Sequence, residues 1–240
     1  MTSSFRRGLR DGLPIALGYF PVSFAFGIFA VGQGLQPIQA ILISLLNVTS
    51  AGQLAGVPLL VSCAPYLELA LTELVINLRY ALMSITLSQK LDRSVTLPDR
   101  FAIAFVNTDE VFAVSTAQTG LVSRSYMYGL ILTPYLGWAF GTVFGALAGD
   151  ILPTLLVSAL GIAIYGMFIS ILIPAARDSR NILAVELLSA GISVAIAYLP
   201  PLDFISSGFS ISLSAVGASL LLALIAPIKL AEGEGKEEIA

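Results

Sequence analysis

The chain has 240 residues, of which 57% are hydrophobic and 11% charged, against roughly 45–50% apolar and 25% charged residues in an ordinary soluble domain. Twelve Lys and Arg against fifteen Asp and Glu leave a net charge of −3, with no basic surface for a polyanion, so nucleic acid is excluded as a partner. A single Cys excludes an internal disulfide, and the absence of His removes the commonest metal ligand and the usual general base. No catalytic residue, metal site or cofactor is therefore expected.

A helix needs about 20 mostly apolar residues to cross a hydrocarbon core about 30 Å thick. Apolar stretches run at about 13–34, 37–62, 65–88, 101–119, 126–148, 152–173, 181–199 and 208–228. They predict an all-α polytopic membrane protein with seven to eight hydrophobic segments, forming one transport domain over residues 1–228. The polar end, 229–240, is expected to be disordered. Arg6, Arg7 and Arg10 ahead of the first run imitate a secretory signal. That run is long and rich in Gly and Pro, and seven more follow it, which argues against a cleaved leader.

Orientation follows the excess of Lys and Arg in cytoplasmic loops. If every segment crosses, Lys90, Arg93 and Arg100 fall outside, against eight inside. If the second and sixth segments enter and leave on one side, only Arg124 falls outside. Both arrangements place the two termini in the cytoplasm, and the second obeys the rule better. A shift of 114 residues aligns Ala25, Phe26 and Gly27 with Ala139, Phe140 and Gly141, and Gly52 with Gly166. This suggests a repeat of 14–88 in 128–199. With the second and sixth segments re-entrant or broken, the first and fifth run in opposite directions, an inverted repeat of the kind found in secondary transporters. Asn47, Thr49, Ser50, Gly52 and Gln53 interrupt one of those segments, and Gly161 and Gly166 the other. Irregular backbone at that depth needs protein or a water-filled cavity around it. The plainer reading is that Ser and Thr bond to their own helix or a neighbour.

Charges at membrane depth cost at least about 2.5–3.5 kcal/mol on insertion scales, so they should be paired or functional. The third segment carries Glu68, Glu73, Asn77 and Arg79, and the fourth Asn107, Thr108, Asp109 and Glu110. A hairpin centred between Ser94 and Val95 sets Arg79 opposite Glu110, with Asp109 beside it. One reading is an architectural clamp between two helices. The other rests on a surplus of acids, Glu73, Asp109, Glu110 and Glu186, over one intramembrane base, so that at least one acid can carry a proton. Ser50, Gly52, Gln53, Asn77, Arg79, Asp109 and Glu110 are the candidate substrate-binding residues, and Glu73, Asp109, Glu110 and Glu186 the candidates for proton coupling. Gly141, Gly145 and Gly149 form a GxxxGxxxG stripe for close helix packing; the partner helix is internal or belongs to a second copy in an oligomer.

The stretches SAGQ (50–53), NLRYALMS (77–84) and NTDE (107–110), with the opening GLRDGLPIALGYFPVSFAFGIFA, resemble the AzlC family of branched-chain amino-acid permeases. The resemblance covers nearly the whole chain. It implies a bacterial inner-membrane exporter of valine, leucine or isoleucine that works with a small membrane subunit of the AzlD family. Its motifs fall on Asn77, Arg79, Asp109 and Glu110. Two other readings stand beside it: a cation channel, which needs rings of like charge, and a non-transporting structural subunit of a membrane complex. An enzyme is disfavoured, since Asp109 and Glu110 are adjacent on a helix and point about 100° apart.

Overall fold

The computed structural model describes residues 3–148, single positions between 155 and 169, 172–177 and 179–225. These form two compact units, Met1–Ile169 and Ser170–Ala240. In the first unit α1 spans Ser3–Gly32, α2 Pro37–Leu46, α3 Ser50–Val61, α4 Tyr66–Lys90, α5 Leu97–Phe105, α6 Asp109–Thr116 and α7 Arg124–Ala148. In the second, α8 (Arg180–Tyr198) joins α9 (Ser207–Ile225) through a 3-10 turn at Pro200–Leu202. Helices α1, α4, α7, α8 and α9 are long and apolar enough to cross a membrane. Gly149, Gly161, most of the sixth segment and the 229–240 end lie outside the described residues.

The glycine stripe packs within the chain. A Cβ on Gly141 would strike the Phe20 carbonyl and one on Gly145 the Phe24 carbonyl, while Gly129 faces Phe5 and Leu9, and Gly137 faces Ala16. Positions along α1 and α7 rise together at one constant offset, so the two helices lie backbone to backbone and run parallel. Small residues permit that approach, which replaces side-chain interdigitation with close backbone packing. Tyr19 and Trp138 close the seam with an edge-to-face contact at 5.4 Å.

Between α1 and α7 the chain turns back twice. Helices α2 and α3, of ten and twelve residues, are each about 15–18 Å long, too short to cross, and a break at Asn47–Thr49 separates them. Gly52 and Gly56 of α3 lie against Glu73, Asn77 and Leu69 of α4; the indices run oppositely, so α3 returns toward the end from which α2 came. Helices α5 and α6, of nine and eight residues, form a second hairpin broken at Val106–Thr108. Its two ends meet: Val122 N–H donates to the Lys90 carbonyl at 2.8 Å, Asp92 N–H to the Val122 carbonyl at 3.0 Å, and Arg124 N–H to Ser94 Oγ at 3.1 Å. The start of α1 joins the same end, through Ser4 and Ser123 at 3.0 Å and Arg7 donating to Gln118 Oε1 at 2.7 Å.

Two expectations are corrected here. The fourth segment is not one helix but a re-entrant pair, and the first and fifth segments run parallel, not opposed. One turn-back between them would invert α7 relative to α1; two restore its direction. The second turn-back also brings Arg124 to the end that carries Lys90, Arg93 and Arg100. Arg6, Arg7 and Arg10 lie there too, whereas the connections 33–36 and 62–65 at the opposite end hold no Lys or Arg.

Asp99 anchors the second hairpin at the basic end. Its carboxylate accepts from Thr96 Oγ1 at 2.6 Å and Thr96 N–H at 2.8 Å, from Tyr128 Oη at 2.7 Å, and pairs with Arg124 at 2.9 Å. The Thr96 and Tyr128 hydroxyl bonds, with the Arg124 charge behind them, hold this carboxyl down at about 2.

Candidate functional site

Both hairpin breaks are helix N-termini capped by threonine. Thr49 Oγ1 accepts from Gly52 N–H at 3.4 Å, and Thr108 Oγ1 from Val111 N–H at 3.5 Å. A threonine in extended conformation satisfies one of the first-turn donors and starts a helix at once, so each hairpin changes direction within three residues. The positive ends of α3 and α6 are thereby brought to the middle of the unit from opposite sides.

Helix α4 passes between them and touches both. Arg79 Nη1 pairs with Asp109 Oδ2 at 2.5 Å, and Arg79 Nη2 donates to Tyr80 Oη at 3.0 Å. The guanidinium lies 4.7 Å from the centre of the Tyr80 ring, and Tyr80 Oη reaches Thr49 Oγ1 at 3.5 Å. One dipeptide thus ties the cap of α3 to the first residue of α6. The expected partner of Arg79 was Glu110. Instead Glu110 turns to α1, where Tyr19 Oη bonds to it and lies 2.6 Å from Thr108 Oγ1. Neighbouring helical positions diverge by about 100°, so the two acids cannot face one cation, and each reaches a different long helix.

A cavity of about 260 Å³ lies where the breaks approach, lined by Asn47, Thr49, Asn77, Tyr80 and Asn107 among others. Asn107 Nδ2 donates to Ser84 Oγ at 3.1 Å and closes it toward the basic end. A second cavity of about 310 Å³ shares Leu46 and Asn47 with it and extends toward the other end. Its walls are apolar (Leu42, Val57, Leu60, Leu69), with Gln53 and Glu73 the polar exceptions apart from Asn47. Glu73 Oε2 accepts from Asn77 Nδ2 at 2.8 Å, and Gln53 Nε2 donates to the Asn47 carbonyl. Gln53 Oε1, Asn77 Oδ1 and Asn107 Oδ1 are buried with no protein partner. Buried polar atoms of this kind are rare and costly, and these three cluster at the two cavities.

Of the residues singled out from sequence, Gly52, Gln53, Glu73 and Asn77 line these cavities. Ser50 opens α3. Arg79, Asp109 and Glu110 line neither cavity and instead hold α6 to α4 and α1. Glu186 is on α8 in the second unit. Tyr19 and Tyr80 were missed: an aromatic residue on an apolar helix gives no sign that its hydroxyl serves a polar centre.

Paired re-entrant helices with their capped N-termini at membrane depth define a polytopic membrane protein of the architecture used by transporters and permeases. Residues 14–152 match the family described as AzlC protein, and the chain belongs to that family. It is 29% identical over 189 residues to the inner membrane protein YgaZ of Escherichia coli, covering 75% of this chain and 77% of that one. It is 35% identical over 175 residues to an uncharacterized membrane protein of Archaeoglobus fulgidus, covering 72% and 76%. No solved structure matches.

Proposed function

We propose that the chain is a secondary transporter that exports branched-chain amino acids in exchange for protons. The observation that carries this reading is the pair of adjoining cavities at the hairpin breaks. An apolar pocket with a few convergent polar groups is the usual form of a small-molecule site. A zwitterion with an aliphatic side chain needs three things, and the residues around the two cavities support an assignment for each. Glu73 accepts from the ammonium. The positive end of α3 at Ser50 donates to the carboxylate, and the unpartnered Oδ1 atoms of Asn77 and Asn107 accept from the ammonium beside Glu73. Leu42, Val57, Leu60 and Leu69 receive the aliphatic group.

Ammonium and proton compete for the same carboxylate on Glu73, which gives exchange: a proton arriving there releases the amino acid. Arg79 and Asp109 are then the link through which α4 and the second hairpin move together, and Glu110, bonded to Tyr19, is a second acid on that hairpin. The end carrying Arg6, Arg7, Arg10, Lys90, Arg93, Arg100 and Arg124 is cytoplasmic under the positive-inside rule, in a bacterial inner membrane. By family resemblance the protein works with a small AzlD-type subunit. Co-purification of that subunit with the full chain tests the pairing.

Efflux of labelled valine from loaded proteoliposomes, with and without an imposed pH gradient, tests the transport reading. Acceleration by an inward proton gradient, abolished in Glu73→Gln, is the expected result. Efflux indifferent to the gradient removes the coupling, and no valine movement removes the substrate class.

A further inference from the structure

A cleft between the last turns of α4 and the length of α5 plays no part in that route. It holds about 220 Å³, and Leu87, Leu91, Leu97, Phe101, Ile103 and Ala104 form most of its wall. Leu97 and Phe101 are 67% and 71% exposed, so the cleft opens sideways, where a membrane surrounds the unit. Helix α5 starts directly beyond the loop at the basic end, and the cleft therefore lies within the first turns below that end, the depth at which a phospholipid's glycerol gives way to its acyl chains.

Charge decides what kind of amphiphile fits. Arg100 stands in the cleft wall, its Nη1 donating to the Ser88 carbonyl at 3.3 Å, which fixes the guanidinium and leaves its other N–H groups available. Lys90 ends α4, and Arg93 lies on the connection that leads from it into α5. Arg7, Arg79 and Arg124 each pair with an acid; among the described residues Arg100 pairs with none, as is also true of Lys90, Arg93, Arg6 and Arg10, and of these only Arg100 lines the cleft. Asp92 is turned to Ser94 and Asp99 to Arg124. One guanidinium without an internal counter-ion thus stands in the wall of an apolar slot, which complements a negative headgroup carrying hydrocarbon.

We infer that this cleft is a binding site for an anionic phospholipid, with an acyl chain between α4 and α5 and the phosphate on Arg100. Arginine suits the phosphate because its planar fork presents paired donors. The site reaches the transport centre from behind. Ser84, in the cleft wall, accepts the Asn107 bond, and Ala104 lines both the cleft and the central cavity. A seated acyl chain therefore braces the hairpin that carries the second break.

The test is lipid retention by the purified, delipidated full chain, read by native mass spectrometry with phosphatidylglycerol and phosphatidylcholine of identical chains. At least tenfold preference for phosphatidylglycerol is expected, lost in Arg100→Gln and largely kept in Arg100→Lys. Unfolding temperatures of each variant without added lipid separate loss of binding from loss of folding, so a folded Arg100→Gln that keeps the preference overturns the assignment. Equal retention of the two lipids in the parent protein overturns it too. Glycerol 3-phosphate, offered alone, is expected not to bind; binding as tight as the lipid would reassign the site to a soluble phosphate and refute the inference.

Discussion

Arg79 meets Asp109 at 2.5 Å, joining a membrane-crossing helix to the first residue of a half-helix that never crosses. The two side chains are 43% and 36% exposed within the chain, so the described residues do not fully enclose the pair. Its importance is positional: it fixes where the second hairpin ends relative to α4.

Replacing Arg79 by Lys keeps the charge but loses the fork that holds Asp109 and Tyr80 together. Valine efflux is expected to fall at least tenfold with membrane insertion unchanged. A double-mutant cycle of Arg79→Gln and Asp109→Asn should give a coupling energy on the order of 1 kcal/mol in unfolding measurements, as for other groups in direct contact. Strict additivity would show that the pair is idle.

The seam between α1 and α7 tolerates no Cβ at Gly145, where the Phe24 carbonyl occupies that volume. Gly145→Ala is expected to destabilise the protein by about 1–3 kcal/mol, the usual cost of overpacking. Gly18→Ala on α1 meets nothing within 4 Å and should be neutral or stabilising by up to about 1 kcal/mol, the helix preference of Ala over Gly. Thermal unfolding of both variants in detergent makes the comparison.

Tyr19 is the contact of α1 with the second break. Tyr19→Phe removes the hydroxyl from Thr108 and Glu110 while leaving the ring on Trp138. A loss of about 1–3 kcal/mol is expected, the cost of stranding the buried Thr108 hydroxyl, together with a change in the pH profile of efflux. An unchanged profile would separate Glu110 from proton movement.

Asp99 titrates lower in the folded protein, about 2, than its ordinary 3.8. A depressed carboxyl contributes stability that is complete above the unfolded value and disappears as pH falls through the folded one. Unfolding temperature should therefore drop more steeply between pH 4 and pH 2 in the parent than in Asp99→Asn. Parallel slopes would contradict the anchoring role of Asp99.

What the sequence revealed follows from which signals are local. Hydrophobic runs located the long helices, and polar residues at 47–53 located the first break, because both are read within one window of chain. The second break was just as local. Thr108 followed by Asp109 and Glu110 is a cap with an acidic first turn, the same device as Thr49 ahead of Ser50. The length of 101–119, that of a full span, hides it. Reading 101–119 as one span moves Arg124 to the other end and reverses α7 relative to α1, since direction depends on counting every turn-back. The hairpin register put Arg79 within one residue of its partner, and choosing between Asp109 and Glu110 required knowing that Tyr19 stood on the other side. Such a pairing spans about ninety residues of chain and leaves no local trace.

Two hairpins entering from opposite ends are the foundation for both cavities, and labelling from each face of the membrane tests them directly. With Cys63 the sole thiol, an impermeant reagent should reach it from the periplasmic face. In a Cys63→Ser background, Ser94→Cys and Thr119→Cys should both react from the cytoplasmic face. If positions 94 and 119 are labelled from opposite faces, residues 97–116 cross the membrane, the second break has no partner at mid-depth, and the account fails.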